Sequence, residues 1–147
     1  MKHSLFSRPW WRYLGVVAMA VCLLSACAHY DQREMVVTAY SDDPISTNWR
    51  RGKLFFWRAY VASGPNKGKR KWVGITSSGT RAGRGTIAAD TRYYPYGTVM
   101  IIPGYGKGVV EDTGGAIKGP NRLDVFFHSR RRALQWGRQR LQVKIKR

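Results

Sequence analysis

Cysteine is almost missing from this chain, with Cys22 and Cys27 as its whole supply and both near the start. A disulfide framework for the bulk of the chain is therefore excluded. Long apolar runs are missing too. The run over residues 14–24 falls short of the roughly 20 residues that a helix needs to span a bilayer. Acid is scarce, with 8 Asp and Glu against 26 Lys and Arg and a formal net charge of +18. After Asp31, Glu34, Asp42 and Asp43, only Asp90, Glu111, Asp112 and Asp124 remain. No internal repeat or low-complexity segment is present, so a repeat array is excluded.

The front of the chain reads as a targeting signal. Lys2, Arg8 and Arg12 form a basic region ahead of the apolar run. That run has the length of a signal-peptide core. It ends in Leu24-Ser25-Ala26-Cys27, which resembles the lipobox of bacterial lipoproteins. The resemblance implies a signal peptide over 1–26, lipid on the Cys27 sulfur, and a polar tether over 27–34. The bland alternatives are a plain signal peptide with a chance Cys, or an uncleaved anchor. Residues 35–147 are then of a length for one domain. Ala28 follows the lipid site where Asp would be the common retention signal. In a diderm cell the expected address is the outer membrane, facing the periplasm.

The basic excess draws the chain to polyanions or to anionic headgroups. Nucleic acid would be the first thought for a cytoplasmic protein, and export argues against it. Outside the inner membrane the abundant anions are peptidoglycan stem peptides and phospholipids. The Lys and Arg residues run along the whole chain, so charge alone marks no site.

Residues 35–40 read as a strand. Residues 42–66 mix Pro, Gly and aromatics, and read as a long loop with one short strand near 54–61. Its aromatics beside Lys and Arg either stack on sugar rings or plug the core; the sequence leaves both open. From residue 72 the rhythm is regular. Short β-rich runs at 72–76, 86–89, 98–102, 108–111 and 123–127 alternate with Gly, Pro and Asn turns, the pattern of a small all-β barrel or sandwich. Ser129 reads as a helix N-cap, with a helix over 130–138 and Gly137 near its end. Residues 141–147 alternate apolar and basic, as a half-buried final strand does.

Set into these β runs, the few carboxylates stand out. In Arg122-Leu-Asp-Val-Phe-Phe127, alternation puts Asp124 and Phe126 on the face opposite Leu123, Val125 and Phe127. A carboxyl beside an aromatic ring loses hydration, which raises its pKa and suits a general acid. The plain alternative pairs Asp124 with Arg122 or Lys118. Asp112 opens Asp-Thr-Gly-Gly-Ala-Ile-Lys-Gly119. Its paired glycines allow a sharp turn or close backbone approach. Thr113 and the free amides can bond a sugar or a neighbouring carboxylate. Asp-Thr-Gly also occurs in aspartic proteases, which need two copies. One copy and an unlike continuation set that reading aside.

Four blocks resemble the three-aspartate (3D) domain family, whose barrel is also the catalytic domain of membrane-bound lytic transglycosylase A. They are Ile87-Ala-Ala-Asp90, Tyr94-Pro-Tyr-Gly-Thr98, Ile102-Pro-Gly-Tyr-Gly106 and the long run from Glu111 to Asp124. Val37-Thr-Ala-Tyr40 and Gly74-Ile-Thr-Ser-Ser-Gly79 are similar to the family's opening strand and its Thr-x-Ser-Gly element. The resemblance covers about 36–146 and implies a mainly β fold, a six-stranded double-psi β-barrel with a short C-terminal helix. It implies non-hydrolytic cleavage of the MurNAc–GlcNAc bond to a 1,6-anhydro sugar. The sugar's own 6-hydroxyl is the nucleophile, so one Asp serves as acid and then base, where ordinary glycosidases need two carboxylates. By position Asp124 matches the catalytic Asp, Asp112 the neighbour that tunes it, and Asp90 the first of the three. Thr38, Tyr40, Thr76, Ser78, Thr113, Gly114 and Lys118 are the implied substrate-binding residues. No metal and no cofactor are called for. Ser77 stands where the family has Ala. In place of that transglycosylase's large second domain, only residues 42–70 are available as a groove wall.

Two functions follow as expectations: a lytic transglycosylase-like peptidoglycan lyase, or a non-catalytic peptidoglycan-binding lipoprotein on the same barrel. Both have glycan strands and a lipid-anchored membrane as partners, with a cell-envelope protein as a further candidate. A nucleic-acid module is disfavoured by the signal peptide.

Overall fold

Buried Met35 and Val37 alternating with half-buried Val36 and Thr38 set the first strand of the fold, β1 (Tyr30–Tyr40). A computed structural model describes residues 29–146. The expected signal peptide and the expected lipid site at Cys27 lie outside the described residues. Within them the remaining elements are β2 (Trp49–Arg51), β3 (Ala59–Val61), β4 (Arg70–Lys71), β5 (Thr86–Ala88), β6 (Val99–Ile102), β7 (Gly106–Asp112), β8 (Arg122–Phe126), helix α1 (Arg130–Trp136) and β9 (Gln139–Lys146). None of the described helices is long and apolar enough to cross a membrane.

Six strands close into a barrel in the order β1-β8-β5-β7-β6-β9. Two neighbouring pairs, β1/β8 and β5/β7, are parallel. The long antiparallel pairing of β1 with β9 completes the closure. This meets the expectation of a mainly β, six-stranded barrel with one short helix. Closure leaves no unpaired edge on the main sheet. The core is the inward row of every strand: Met35, Val37, Ile87, Met100, Val110, Leu123, Val125 and Val143 are each fully buried. Each such side chain contributes about 1.5–3 kcal/mol relative to exposure. The barrel is thus held by residues from all six strands, and no strand can leave without opening that core.

Three expectations are corrected. The tether over 27–34 is strand from Tyr30 onward, because residues 30–34 pair with Lys146 to Gln142 of β9. The loop over 42–66 belongs to a second small sheet, ordered β2-β3-β4, and its strand covers Ala59–Val61 rather than reaching back to residue 54. The run 72–76 is turn, with one isolated bridge from Ile75 to Arg81. Gly74 there has φ 76°, which a strand cannot accommodate. Ser129 is the N-cap in extended backbone, although its side chain makes no capping bond, and α1 stops at Gly137, whose φ is 65°.

Candidate functional site

The barrel pairing places four residues in one row. Thr38 on β1 pairs with Asp124 on β8. Asp124 pairs with Ala88 on β5, and Ala88 pairs in turn with Asp112 on β7. Laterally paired residues share a face, so Thr38, Asp124, Ala88 and Asp112 all point away from the core. Asp112 reaches that face only through a register shift. Ile87 pairs with Val110, and the next pair is Ala88 with Asp112. The skipped residue, Glu111, instead accepts a hydrogen bond from the buried Thr86 hydroxyl at 2.7 Å. In regular alternation Asp112 would follow Val110 into the core. The bulge re-aims it, a role such irregularities have beside binding sites.

The two carboxylates are held differently. Asp112 accepts at both oxygens. Its Oδ1 takes the Ser77 backbone N–H, the Ser77 hydroxyl and the Thr113 N–H, each at 2.9 Å. Its Oδ2 takes the Tyr40 hydroxyl at 2.9 Å. Asp124 has one side-chain partner, the Thr38 hydroxyl, which donates to its Oδ1 at 2.9 Å. Burial raises the Asp124 carboxyl to about 6; the Thr38 bond opposes the rise and the nearby Asp112 charge adds to it. Tyr40 is pushed upward by burial and then by Asp112, so its phenol stays a donor. Tyr40 also packs edge-on against Phe126 at 5.4 Å, which fixes the ring beside Asp124.

A cavity of about 560 Å³ opens over this row. Its barrel side includes Tyr40, Ala88, Asp112, Asp124 and Phe126. The opposite wall comes from the segment that carries the small sheet, through Thr47, Asn48, Arg70, Lys71 and Trp72. The Arg70 guanidinium lies over the Trp72 ring at 4.2 Å, and the Lys71 ammonium donates to the Thr47 carbonyl. The 42–70 segment offered by the sequence supplies part of this wall, through Thr47, Asn48 and Arg70, and its cationic, aromatic surface is completed by Lys71 and Trp72 beyond it. Among the described residues, no cluster of three or more His, Cys, Asp or Glu could hold a metal ion.

Of the other expected binding residues, Tyr40, Thr76, Thr113 and Gly114 line the cavity. Gly114 is needed there, because a Cβ would lie 2.7 Å from the Ile117 side chain. Thr38 reaches the site through its bond to Asp124. Ser78 and Lys118 are exposed and lie away from the cavity lining. Ser78 supports Thr76 instead, with their hydroxyls 3.0 Å apart. Neither plain partner of Asp124 is present: Arg122 donates to the Ala116 carbonyl at 3.0 Å.

Asp90 is not part of the row. It is buried, its carboxylate bonded to Arg92 Nε at 2.9 Å, Arg92 Nη2 at 2.6 Å and the Gly119 N–H at 2.8 Å. Arg92 first, and then the Gly119 amide, hold its pKa well below the usual carboxylate range. The convergence expected of three aspartates is therefore met by two, and Asp90 ties the 90–94 turn to the glycine that ends the Asp112 loop. A depressed pKa stabilises the fold above the ordinary carboxylate range and ceases to do so as pH falls. Asp90→Asn is expected to lower resistance to urea at neutral pH, with the gap to wild type narrowing as pH falls below the ordinary carboxylate range. A variant as stable as wild type yet devoid of site function would return Asp90 to the reacting groups.

Sequence reasoning missed Ala88, the spacer between the carboxylates, and Ser77 as the main support of Asp112. Ser77 did carry a signal, since it was the one departure within the Thr-x-Ser-Gly element. Its hydroxyl also receives the Tyr96 hydroxyl at 2.9 Å.

Part of this chain is similar to known proteins. The family model of the 3D domain matches residues 85–147. A stretch of 76 residues is 38% identical to the cell wall-binding protein YocH of Bacillus subtilis (strain 168), covering 49% of this chain and 26% of that protein. A stretch of 59 residues is 42% identical to the putative cell wall shaping protein YabE of the same organism, covering 40% and 14%. The chain therefore spans about a quarter of the first relative's length and less of the second's. Among solved structures, MltA from E. coli aligns at 22% identity over 54% of this chain and 29% of that one, with a TM-score of 0.43. The lytic transglycosylase LtgG of Burkholderia pseudomallei aligns at 19% over 52% and 28%, with a TM-score of 0.42. The opening strand and the Thr-x-Ser-Gly element precede the matched segment, while Asp90, Asp112 and Asp124 all fall inside it: residues 85–147 are similar to the 3D domain.

Proposed function

We propose that this protein cleaves peptidoglycan glycan strands by lytic transglycosylation, with Asp124 as the one acid and base. The observation that carries the reading is a carboxyl raised to about 6 by burial at the floor of an open cavity. Such a group holds a proton to give and regains one readily near neutral pH. In the proposed step Asp124 donates its proton to the glycosidic oxygen as the bond from that oxygen to C1 breaks. The sugar's O6 attacks C1, and the O6 proton passes to Asp124. The products are a 1,6-anhydro sugar and a chain with a new hydroxyl, and no water is consumed. Asp112 has no oxygen left without a donor, so it is suited to hold the charge and shape of the site rather than to shuttle a proton. Arg70, Lys71 and Trp72 on the far wall supply cations for muramyl or stem-peptide carboxylates and a ring for a sugar face.

The reading carries a cell-envelope location with it. Lipid on Cys27, the 1–26 signal peptide, outer-membrane placement in a diderm cell and an envelope protein partner belong to the proposal. The one relative named for cell wall binding favours a second reading, glycan binding without cleavage. Digestion of purified peptidoglycan separates the two. Transglycosylation is expected to release anhydro-muropeptides, lighter by one water than hydrolytic products, with a rate that falls above about pH 6 as Asp124 loses its proton. Glycan binding with no anhydro product would establish the binding reading, and hydrolytic products would remove Asp124 from the proposed role.

A further inference from the structure

The end of the β2–β3 hairpin has a composition that neither the core nor the cavity uses. Leu54, Phe55, Phe56 and Trp57 are consecutive and all exposed, from 41% at Phe55 to 83% at Leu54. A contiguous apolar patch of this kind marks a surface that something else covers. The rings pack on one another: Trp57 sits edge-on to Phe55 at 5.3 Å and to Phe56 at 5.2 Å. The turn is fixed by the Arg58 N–H to the Phe55 carbonyl at 2.9 Å and the Gly52 N–H to the Arg58 carbonyl at 3.0 Å. A Cβ on Gly52 would lie 2.8 Å from the Phe55 carbonyl oxygen and 2.8 Å from the Tyr60 ring. The tip is therefore preformed, and docking it costs little ordering.

Its surroundings choose the occupant. Arg50, Arg51, Lys53 and Arg58 are exposed on the strand ends and turn that carry the tip. No Asp or Glu occurs between Pro44 and Ala89. The partner surface must be anionic. A glycan platform would pair its rings with carboxylates or amides that bond sugar hydroxyls, and the 54–57 run brings an aliphatic Leu and three aromatics with none. Tryptophan and phenylalanine at the headgroup level, ringed by cations for lipid phosphates, is the chemistry of a bilayer interface.

We infer that the hairpin tip docks on an anionic lipid surface, with Leu54, Phe56 and Trp57 entering the headgroup region and the flanking Arg and Lys meeting phosphates. This contact is separate from lipid on Cys27 and uses no group of the cavity. Its test reads the ring of Trp57 rather than retention of the chain. The full-length protein is bound to vesicles carrying brominated acyl chains, either phosphatidylglycerol with phosphatidylethanolamine or phosphatidylcholine alone. The contribution of Trp57 is the difference between wild type and Trp57→Phe. Anionic vesicles are expected to quench it, with a drop of at least about fivefold in neutral vesicles or high salt, where the cations lose their partners. Leu54→Ser combined with Phe56→Ser is expected to abolish the quenching while the thermal melt of the barrel is unchanged. Three results would each overturn the inference: no quenching of Trp57, equal quenching by neutral lipid, or a Trp57 response to soluble glycan strands and not to vesicles.

Discussion

Asp124→Asn is expected to remove about two to four decades of cleavage rate, the usual contribution of a positioned acid and base, and to stabilise the barrel at alkaline pH. The amide keeps an oxygen for the Thr38 hydroxyl and nearly the same volume, but it cannot give and recover a proton. The stability half follows from linkage. Asp124 is raised from 3.8 to about 6 in the folded state. Between those values the folded protein holds a proton that the unfolded chain has lost, so stability falls as pH rises. Above about 6 the whole cost of a buried charge is present, on the order of 2 to 3 kcal/mol for a shift of this size. Asparagine carries no such charge. Melts of both proteins should coincide near pH 4 and separate by pH 8, with the variant higher. Glycan binding should survive. A variant that cleaves within about tenfold of wild type would end the acid and base assignment, and one less stable at pH 8 would show that Asp124 is not desolvated.

Such a trade of stability against chemistry was partly legible before any coordinates. Asp124 between apolar residues, in a chain that avoids acid, marked a carboxyl set against its surroundings. Alternation correctly put it on the face of Phe126. Asp112 was visible through its glycines, but its orientation was not. Strict alternation from Val110 turns Asp112 inward, and only the register shift beside Ile87 turns it out. Bulges depend on the partner strand, so no local pattern announces them. Asp90 misled for a related reason. It stands in a family block at the end of a β-rich run, as its sequence neighbours Asp112 and Asp124 stand at or within theirs. What removes it from the site is Arg92 two residues on and the Gly119 amide, which only the folded loops bring together.

The far wall was less legible. Residues 72–76 have the β-rich composition of a strand, and Gly74 at positive φ breaks them. β2, β3 and β4 are two or three residues each, too short for periodicity to register. The aromatics of residues 54–57 left sugar stacking and a core plug open, because composition does not say which side of a hairpin faces water. The structure excludes the plug, since all four are exposed.

Ala88→Leu tests the part of the site that the sequence did not announce. Ala88 pairs with both Asp112 and Asp124, and it is 3% exposed, packed with Tyr40 and Phe126. Adjacent strands stand roughly 4.8 Å apart, so the two carboxylate-bearing strands are separated only by the one that carries Ala88. A methyl group there leaves the floor of the cavity open. Leucine has no room on the packed side, and its branched end must enter the space between the carboxylates. Overpacking is expected to cost about 1–3 kcal/mol of stability, which a closed barrel tolerates. The larger effect is on substrate. A sugar lifted by even an ångström from Asp124 loses on the order of a hundredfold in rate, and the filled floor should weaken glycan binding by about tenfold, or 1.4 kcal/mol. That pattern differs from Asp124→Asn, which spares binding. Ala88→Gly supplies the control. It keeps the floor open, costs about 0.5–1 kcal/mol as a strand glycine, and should retain cleavage. Titrating glycan fragments against the three proteins while scoring anhydro product decides the matter. Undiminished binding by Ala88→Leu would mean that the sugar does not sit over the Asp124–Ala88–Asp112 row.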